Sequence, residues 1–260
     1  SDHLQLSFIG SGPDFFRDQV RREVKYGGDF IKVFISGSFL SPDGGPDVCY
    51  LSDDELEMII RTAHELNRPV TAHVYPCEMM RKLLKFGIDG MEHGALMDEE
   101  TAELFEKKNT YLVPTFSPFQ DIIEENEEFV AKNTEDAQRK LRKYAPILRK
   151  SREVIKNSKI RLGFGSDFCA VHQPYESCYE YRSWLRSGMD PFRTLKAATS
   201  VNAEILGIDH LTGTIEKGKM ADIAGWSRDL LTDPEALFQC DFVMKEGVQY
   251  PTDSKVVDCL

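Results

Sequence analysis

The chain has 260 residues, 41% hydrophobic and 29% charged, enough apolar material for a large core and unlike the composition of a disordered, collagenous or coiled-coil protein. Asp and Glu number 43 against 32 Lys and Arg, a net charge of -11 that repels phosphate and excludes nucleic acid and anionic membrane as expected partners, leaving a small-molecule substrate. The six cysteines, at 49, 77, 169, 178, 240 and 259, form no C-x-x-C pair and read as reduced thiols of a cytoplasmic protein. No apolar run approaches the roughly 18 residues of a membrane helix.

In chain order, Pro13 sits where a helix tolerates proline, and a charged amphipathic stretch follows it to Gly28. The β-branched run Asp29–Gly37 predicts a buried strand, and the Gly- and Pro-rich segment Ser38–Tyr50 a loop. Ser52 and Glu55 form a capping-box pattern opening a helix whose apolar face runs Leu56, Ile59, Ile60, Ala63. Strands at Arg68–Val74, Gly90–His93 and Thr110–Thr115 alternate with helices at Cys77–Phe86 and Asp98–Lys108. Residues Ile122–Lys156 read as helical, broken near Pro146; Arg161–Asp167 reads as a fifth strand, and helices follow near Tyr175–Ser187 and Pro191–Leu206. Alternating strands and helices predict an α/β fold with a parallel sheet, its strand C-termini on one face. After Gly207 the texture changes to short strands at Thr214–Ala224 and Cys240–Val248. The division expected is residues 1–206 and residues 207–260.

Four strands carry a metal-competent side chain inside or at the C-terminal end: Lys32, His73, His93 and Asp167. In a parallel barrel such positions converge at the mouth where active sites form. Two imidazoles and a carboxylate suit a borderline metal such as Zn²⁺. A strand lysine needs a partner, a lowered pKa or a covalent modification to be buried; carboxylated by CO₂ it would bridge two metal ions. Taken singly, a strand-end His is usually structural, an Asp after Gly-Ser a cap, and a strand Lys an edge residue; their recurrence on consecutive α/β units favours the site. His172 divides evenly between substrate contact and loop structure. His3, His64 and His210 carry no such signal.

Phe30-Ile31-Lys32-Val33, Ala72-His73, Glu92-His93-Gly94, Gly165-Ser166-Asp167, Ala197-Ala198-Thr199-Ser200 and the tail Gly213–Asp222 together resemble the amidohydrolase superfamily, in its imidazolonepropionase-like branch that includes Xaa-Pro dipeptidases. The resemblance spans about Gly12 to Gly247. It implies a (β/α)8 TIM barrel with a binuclear metal centre and a small β-sandwich domain. It places a carboxylated, metal-bridging lysine at Lys32, ligands of one metal at His73 and His93, and a ligand of the other, acting as general base, at Asp167. It matches Tyr75 to a tyrosine contacting the scissile carbonyl; the other reading of Tyr75 is a loop aromatic. The family's first-strand His-x-His pair is absent here, so the expectation is an incomplete barrel holding strands four to eight with a C-terminal piece of the β domain. The second metal site would lack those ligands. Such a chain is expected to self-associate or to recruit a complementing N-terminal segment.

The function expected is metal-dependent hydrolysis of a C–N bond. The alternatives are an inactive fragment acting through binding or assembly, and a lyase or isomerase using Lys32 as a Schiff base.

Overall fold

A computed structural model describes residues 8–39, 45–124, 126–167 and 178–252. By contact density the chain divides into two units, residues 1–114 with 119–161, and residues 115–118 with 162–260. This is a different division from the chain-order one at 206/207.

In the first unit, helix α1 (Pro13–Lys25) begins on Pro13 and precedes strand β1 (Ile31–Phe34). Helix α2 (Asp53–Glu65) is started by the expected capping box: Ser52 Oγ accepts from the Glu55 N–H, and the Glu55 carboxylate accepts from the Ser52 N–H at 2.8 Å. That carboxylate also accepts from the Gly12 N–H at 2.6 Å, tying the entry of α1 to the start of α2. All four residues of the predicted apolar face of α2 are buried. Strand β2 (Val70–Val74) is buried throughout, as suits a parallel strand covered on both faces. Helix α3 (Cys77–Phe86), strand β3 (Gly90–His93), helix α4 (Glu99–Lys108) and strand β4 (Tyr111–Val113) continue the alternation, and Asp98 caps α4 through the Thr101 N–H. Strand β5 (Arg161–Leu162) completes the order β1-β2-β3-β4-β5. β1 to β4 pair in parallel, with Lys32 opposite Thr71, Phe34 opposite His73, His73 opposite Glu92 and Val74 opposite His93.

β1 lies at one edge of this sheet. Phe30 and Phe34 are 48% and 58% exposed there, and a groove of about 870 Å³ runs along them past Phe8, Ile9 and Phe15.

The charged region between β4 and β5 forms two short helices, α5 (Gln120–Ile123) and α6 (Glu127–Ala131), and a long one, α7 (Glu135–Asn157). The expected break at Pro146 does not occur: α7 continues through it. Pro146 faces solvent between the buried pairs Tyr144–Ala145 and Leu148–Ser151, so water can satisfy the carbonyl that proline leaves without a donor while packing holds the helix. Its inner face joins Phe39, Tyr75, Phe119 and Ile122 in one apolar cluster.

In the second unit the strand predicted over Arg161–Asp167 stops at Leu162. The Asn202 side chain explains this: its Oδ1 accepts from the Phe164 N–H at 2.9 Å and its Nδ2 donates to the Phe164 carbonyl at 2.8 Å, taking both groups a ladder would use. Helices α8 (Tyr179–Arg186) and α9 (Pro191–Lys196) follow, and α9 runs through a π turn at Ala197–Val201 into α10 (Asn202–Ile205). The tail forms one antiparallel sheet, β6 (Ile223–Gly225), β7 (Phe242–Lys245) and β8 (Val248–Tyr250), in that order. The predicted strand from Thr214 begins only at Ile223, because Thr214–Met220 is spent on turns around Gly213 and Gly218. The predicted second strand contains the hairpin turn Glu246–Gly247, both residues at positive φ, as a tight two-residue turn requires. Among the described residues the tail is one three-stranded sheet, and no described helix is long and apolar enough to cross a membrane.

Candidate functional site

The two ends of β3 are shaped by two glycines. A Cβ on Gly90 would fall inside the Tyr111 ring, so only glycine lets that ring lie across the start of the strand. His93 takes φ 68 and Gly94 φ 54, a left-handed pair that turns the chain sharply at the strand's C-terminus. The Gly94 N–H then donates to the Val74 carbonyl at 3.1 Å, fixing the ends of β2 and β3 together.

This turn aims the His93 ring at His73. His73 Nδ1 and His93 Nε2 are 2.8 Å apart, with ring centroids 4.5 Å apart, and both residues are buried. Burial, with the Lys32 charge adding to it, lowers the His73 pKa to about 4. Burial is also the main cause for His93, which is held well below the usual imidazole range, with His73 and Lys32 contributing. Both rings are therefore neutral near pH 7, and one facing nitrogen donates to the other.

Tyr75 follows β2, and its ring stands 4.7 Å from His73 and 5.3 Å from His93. Phe39 and Phe119 pack on it at 4.7 and 5.9 Å, so the tyrosine is a buried wall of the histidine pair. Lys32 does not stand free: its Nζ is 3.0 Å from Glu92 Oε2, while Glu92 Oε1 accepts from the Thr71 hydroxyl at 3.0 Å. Sequence reasoning did not single out Glu92. Its signal was present in the two-residue alternation that puts Gly90 and Glu92 on the same face of β3.

The two facing nitrogens fit a divalent ion by donor chemistry and spacing. Nitrogens bound to one tetrahedral zinc at about 2.0–2.1 Å stand roughly 3.3 Å apart, a small adjustment from the 2.8 Å found here. Among the described residues no three His, Cys, Asp or Glu side chains gather into a metal-holding group.

Asp167 belongs to the second unit. It is exposed, with φ 48, in the loop five residues beyond β5, so the expected strand-end position becomes a loop position. The carbonyl of the preceding Ser166 accepts from Ser117 Oγ at 3.1 Å. His172 lies outside the described residues. Glu180, which sequence reasoning missed, is buried and accepts N–H bonds from Phe116 at 2.8 Å and Ser117 at 2.7 Å. Nothing in the sequence marks it, since an acid in the first turn of a helix reads as an ordinary partner of the helix dipole.

Comparison with known proteins gives a consistent result. Residues 5–250 match the profile described as "Amidohydrolase family". Ochratoxinase of Aspergillus niger is 29% identical over 226 residues, covering 86% of this chain and 46% of that protein. Among solved structures, a Xaa-Pro dipeptidase with bound methionine is 27% identical with a TM-score of 0.81, covering 94% of this chain and 59% of that one. A prolidase complexed with N-methylphosphonate-L-proline is 26% identical with a TM-score of 0.80, covering 95% and 60%. The chain thus spans about half the length of the curated relative and about three-fifths of each solved one.

Proposed function

The chain belongs to the amidohydrolase family, and on that premise we propose that it takes part in metal-dependent hydrolysis of a C–N bond in a dipeptide, amide or cyclic amide. The observation that supports this most is the buried, neutral pair of nitrogens on His73 and His93. A divalent ion such as Zn²⁺, when bound, polarises a carbonyl and brings the pKa of water toward neutrality.

The chain's own residues have the following parts in this reading. His73 and His93 hold the ion through Nδ1 and Nε2. Lys32, carboxylated, adds an anionic oxygen donor. Tyr75 directs its phenol toward the substrate carbonyl. Asp167 accepts the proton of the attacking water on a carboxylate oxygen and returns it to the leaving nitrogen. His172 contributes to the substrate loop.

A second reading is favoured by one specific observation, the Lys32–Glu92 ion pair. An ammonium held by a carboxylate is not a metal ligand, and a chain that keeps this pair would act by binding or assembly rather than catalysis. Xaa-Pro dipeptides are the first substrates to assay, because two of the similar structures are a Xaa-Pro dipeptidase and a prolidase. The test is their hydrolysis by the 260-residue chain with added Zn²⁺ and ¹³C-bicarbonate. The hydrolase reading expects turnover abolished by chelation and a carbamate carbon signal that Lys32→Ala removes. No turnover and no carbamate signal would favour the second reading, and borohydride trapping of a carbonyl substrate on Lys32 would favour Schiff-base chemistry.

A further inference from the structure

Glu180 is a carboxylate that the hydrolysis described above does not use, and it is only 4% exposed. An ion buried to this degree is costly unless hydrogen bonds compensate. Three N–H groups converge on it. Oε1 accepts from the Phe116 N–H at 2.8 Å and from Trp184 Nε1 at 2.6 Å, and Oε2 accepts from the Ser117 N–H at 2.7 Å. Trp184, one turn further along α8, is fully buried and packs its ring 5.5 Å from Phe116 and 5.3 Å from Phe164. The Phe116–Ser117 segment is thereby clamped to α8 by both polar and apolar contacts.

The clamp reaches further. Ser117 Oγ donates to the Ser166 carbonyl, which shares its peptide group with the Asp167 nitrogen. Thr115 and Asp167, which flank this connection, both hold left-handed backbone, φ 46 and φ 48. For a β-branched threonine that conformation is an outlier, and it persists only when surrounding contacts over-determine it.

We propose that Glu180 is a positioning residue for Asp167, acting through the backbone of Phe116 and Ser117, the Ser117 hydroxyl and the Ser166 carbonyl. The consequence for proton transfer rests on Asp167 being the proton carrier; the mechanical link does not. Glu180→Gln offers one carbonyl oxygen where three donors converge and turns an N–H₂ group toward them. Ser117→Ala removes the donor to the Ser166 carbonyl together with the hydroxyl's own contact to the Glu180 carboxyl, and keeps the Phe116, Ser117 and Trp184 N–H donors to that carboxyl.

The experiment is carbonyl and amide NMR of the full 260-residue chain, with amide exchange, for the wild type and both variants. Ser117→Ala is expected to shift the Ser166 carbonyl and Asp167 amide signals while the Trp184 indole stays in place. Glu180→Gln is expected to shift all three, and to speed Phe116 amide exchange about tenfold, the factor that corresponds to one lost hydrogen bond. In both variants Ile59, in the other unit, keeps its signals, which separates a local link from general loosening. Ser117→Ala also covers the case in which Glu180→Gln does not fold.

The proposal is overturned if Ser166 and Asp167 keep their wild-type signals in Ser117→Ala, or if the Ile59 signals move with them. Kinetics on Xaa-Pro dipeptides supply the second readout, with kcat expected to fall about tenfold and KM within twofold of wild type, the pattern for an interaction that acts on the transition state alone. If the signals respond but the wild type with Zn²⁺ hydrolyses nothing, the positioning link stands and the hydrolase reading falls. If the wild type hydrolyses and the signals do not respond, the reverse holds.

Discussion

His73 Nδ1 and His93 Nε2 face each other at 2.8 Å across the parallel strands β2 and β3. They meet although His73 is paired in register with Glu92 rather than with His93. The positive φ of His93 closes that one-residue difference by swinging its ring out of the strand's alternation and toward the neighbouring histidine.

The pair makes the metal-free chain acid-sensitive. The folded His73 has its pKa depressed to about 4 from an ordinary 6.5. Above pH 6.5 neither folded nor unfolded imidazole binds a proton and the pair costs nothing. As pH falls from 6.5 toward 4, the unfolded chain takes up protons that the folded chain cannot, and stability is lost, by about 2–3 kcal/mol for His73 alone. Urea unfolding in chelator at pH 7 and pH 5 is expected to show this loss. The double variant His73→Asn/His93→Asn is expected to flatten it, since asparagine does not titrate and tolerates left-handed backbone.

Glu55 joins two elements with one side chain, accepting from the Ser52 and Gly12 N–H groups. Those two donors are the main reason its carboxyl is held below the ordinary carboxylate range. Its contribution is therefore present above the unfolded pKa and lost as pH falls through the lower folded value. Glu55→Ala is expected to cost about 1–2 kcal/mol near neutral pH, a lost cap together with a second backbone donor. A cost no larger than that of an exposed surface substitution would mean that the Gly12 contact adds nothing.

Gly90 is required by Tyr111 rather than by backbone conformation, since it has no positive φ. Gly90→Ala is expected to destabilise by about 1–3 kcal/mol through overpacking. In a Tyr111→Val background, where the ring that causes the clash is gone, Gly90→Ala is expected to add little further loss. Additive losses in the double variant would place the defect in the backbone of β3.

The alternation that defines the α/β fold was legible because each element carried its own local signal: the Ser52–Glu55 box, Gly87 after α3, and the buried β-branched run of β2. The two histidines were legible because each lies at or next to the C-terminal end of a strand in regular α/β alternation. The early end of β5 was not legible, because it depends on Asn202, 38 residues from Phe164 in the chain. The continuity of α7 through Pro146 depends on which face the proline occupies, which the charged sequence around it does not announce. Glu92 and Glu180 were missed for a related reason: their partners, Lys32 and the Phe116–Ser117 backbone, come from elsewhere in the chain.

His73 and His93 are the proposed ligands of a divalent ion. Titration of the metal-free chain with Co²⁺, followed by visible absorption, tests this assignment directly, because nitrogen ligation of this ion in a low-symmetry site gives intense d–d bands. Bands are expected to saturate at about one ion per chain or more and to vanish in His73→Asn/His93→Asn, since imidazoles supply the ligands. Bands of equal intensity in the double variant, or none in the wild type, would contradict it.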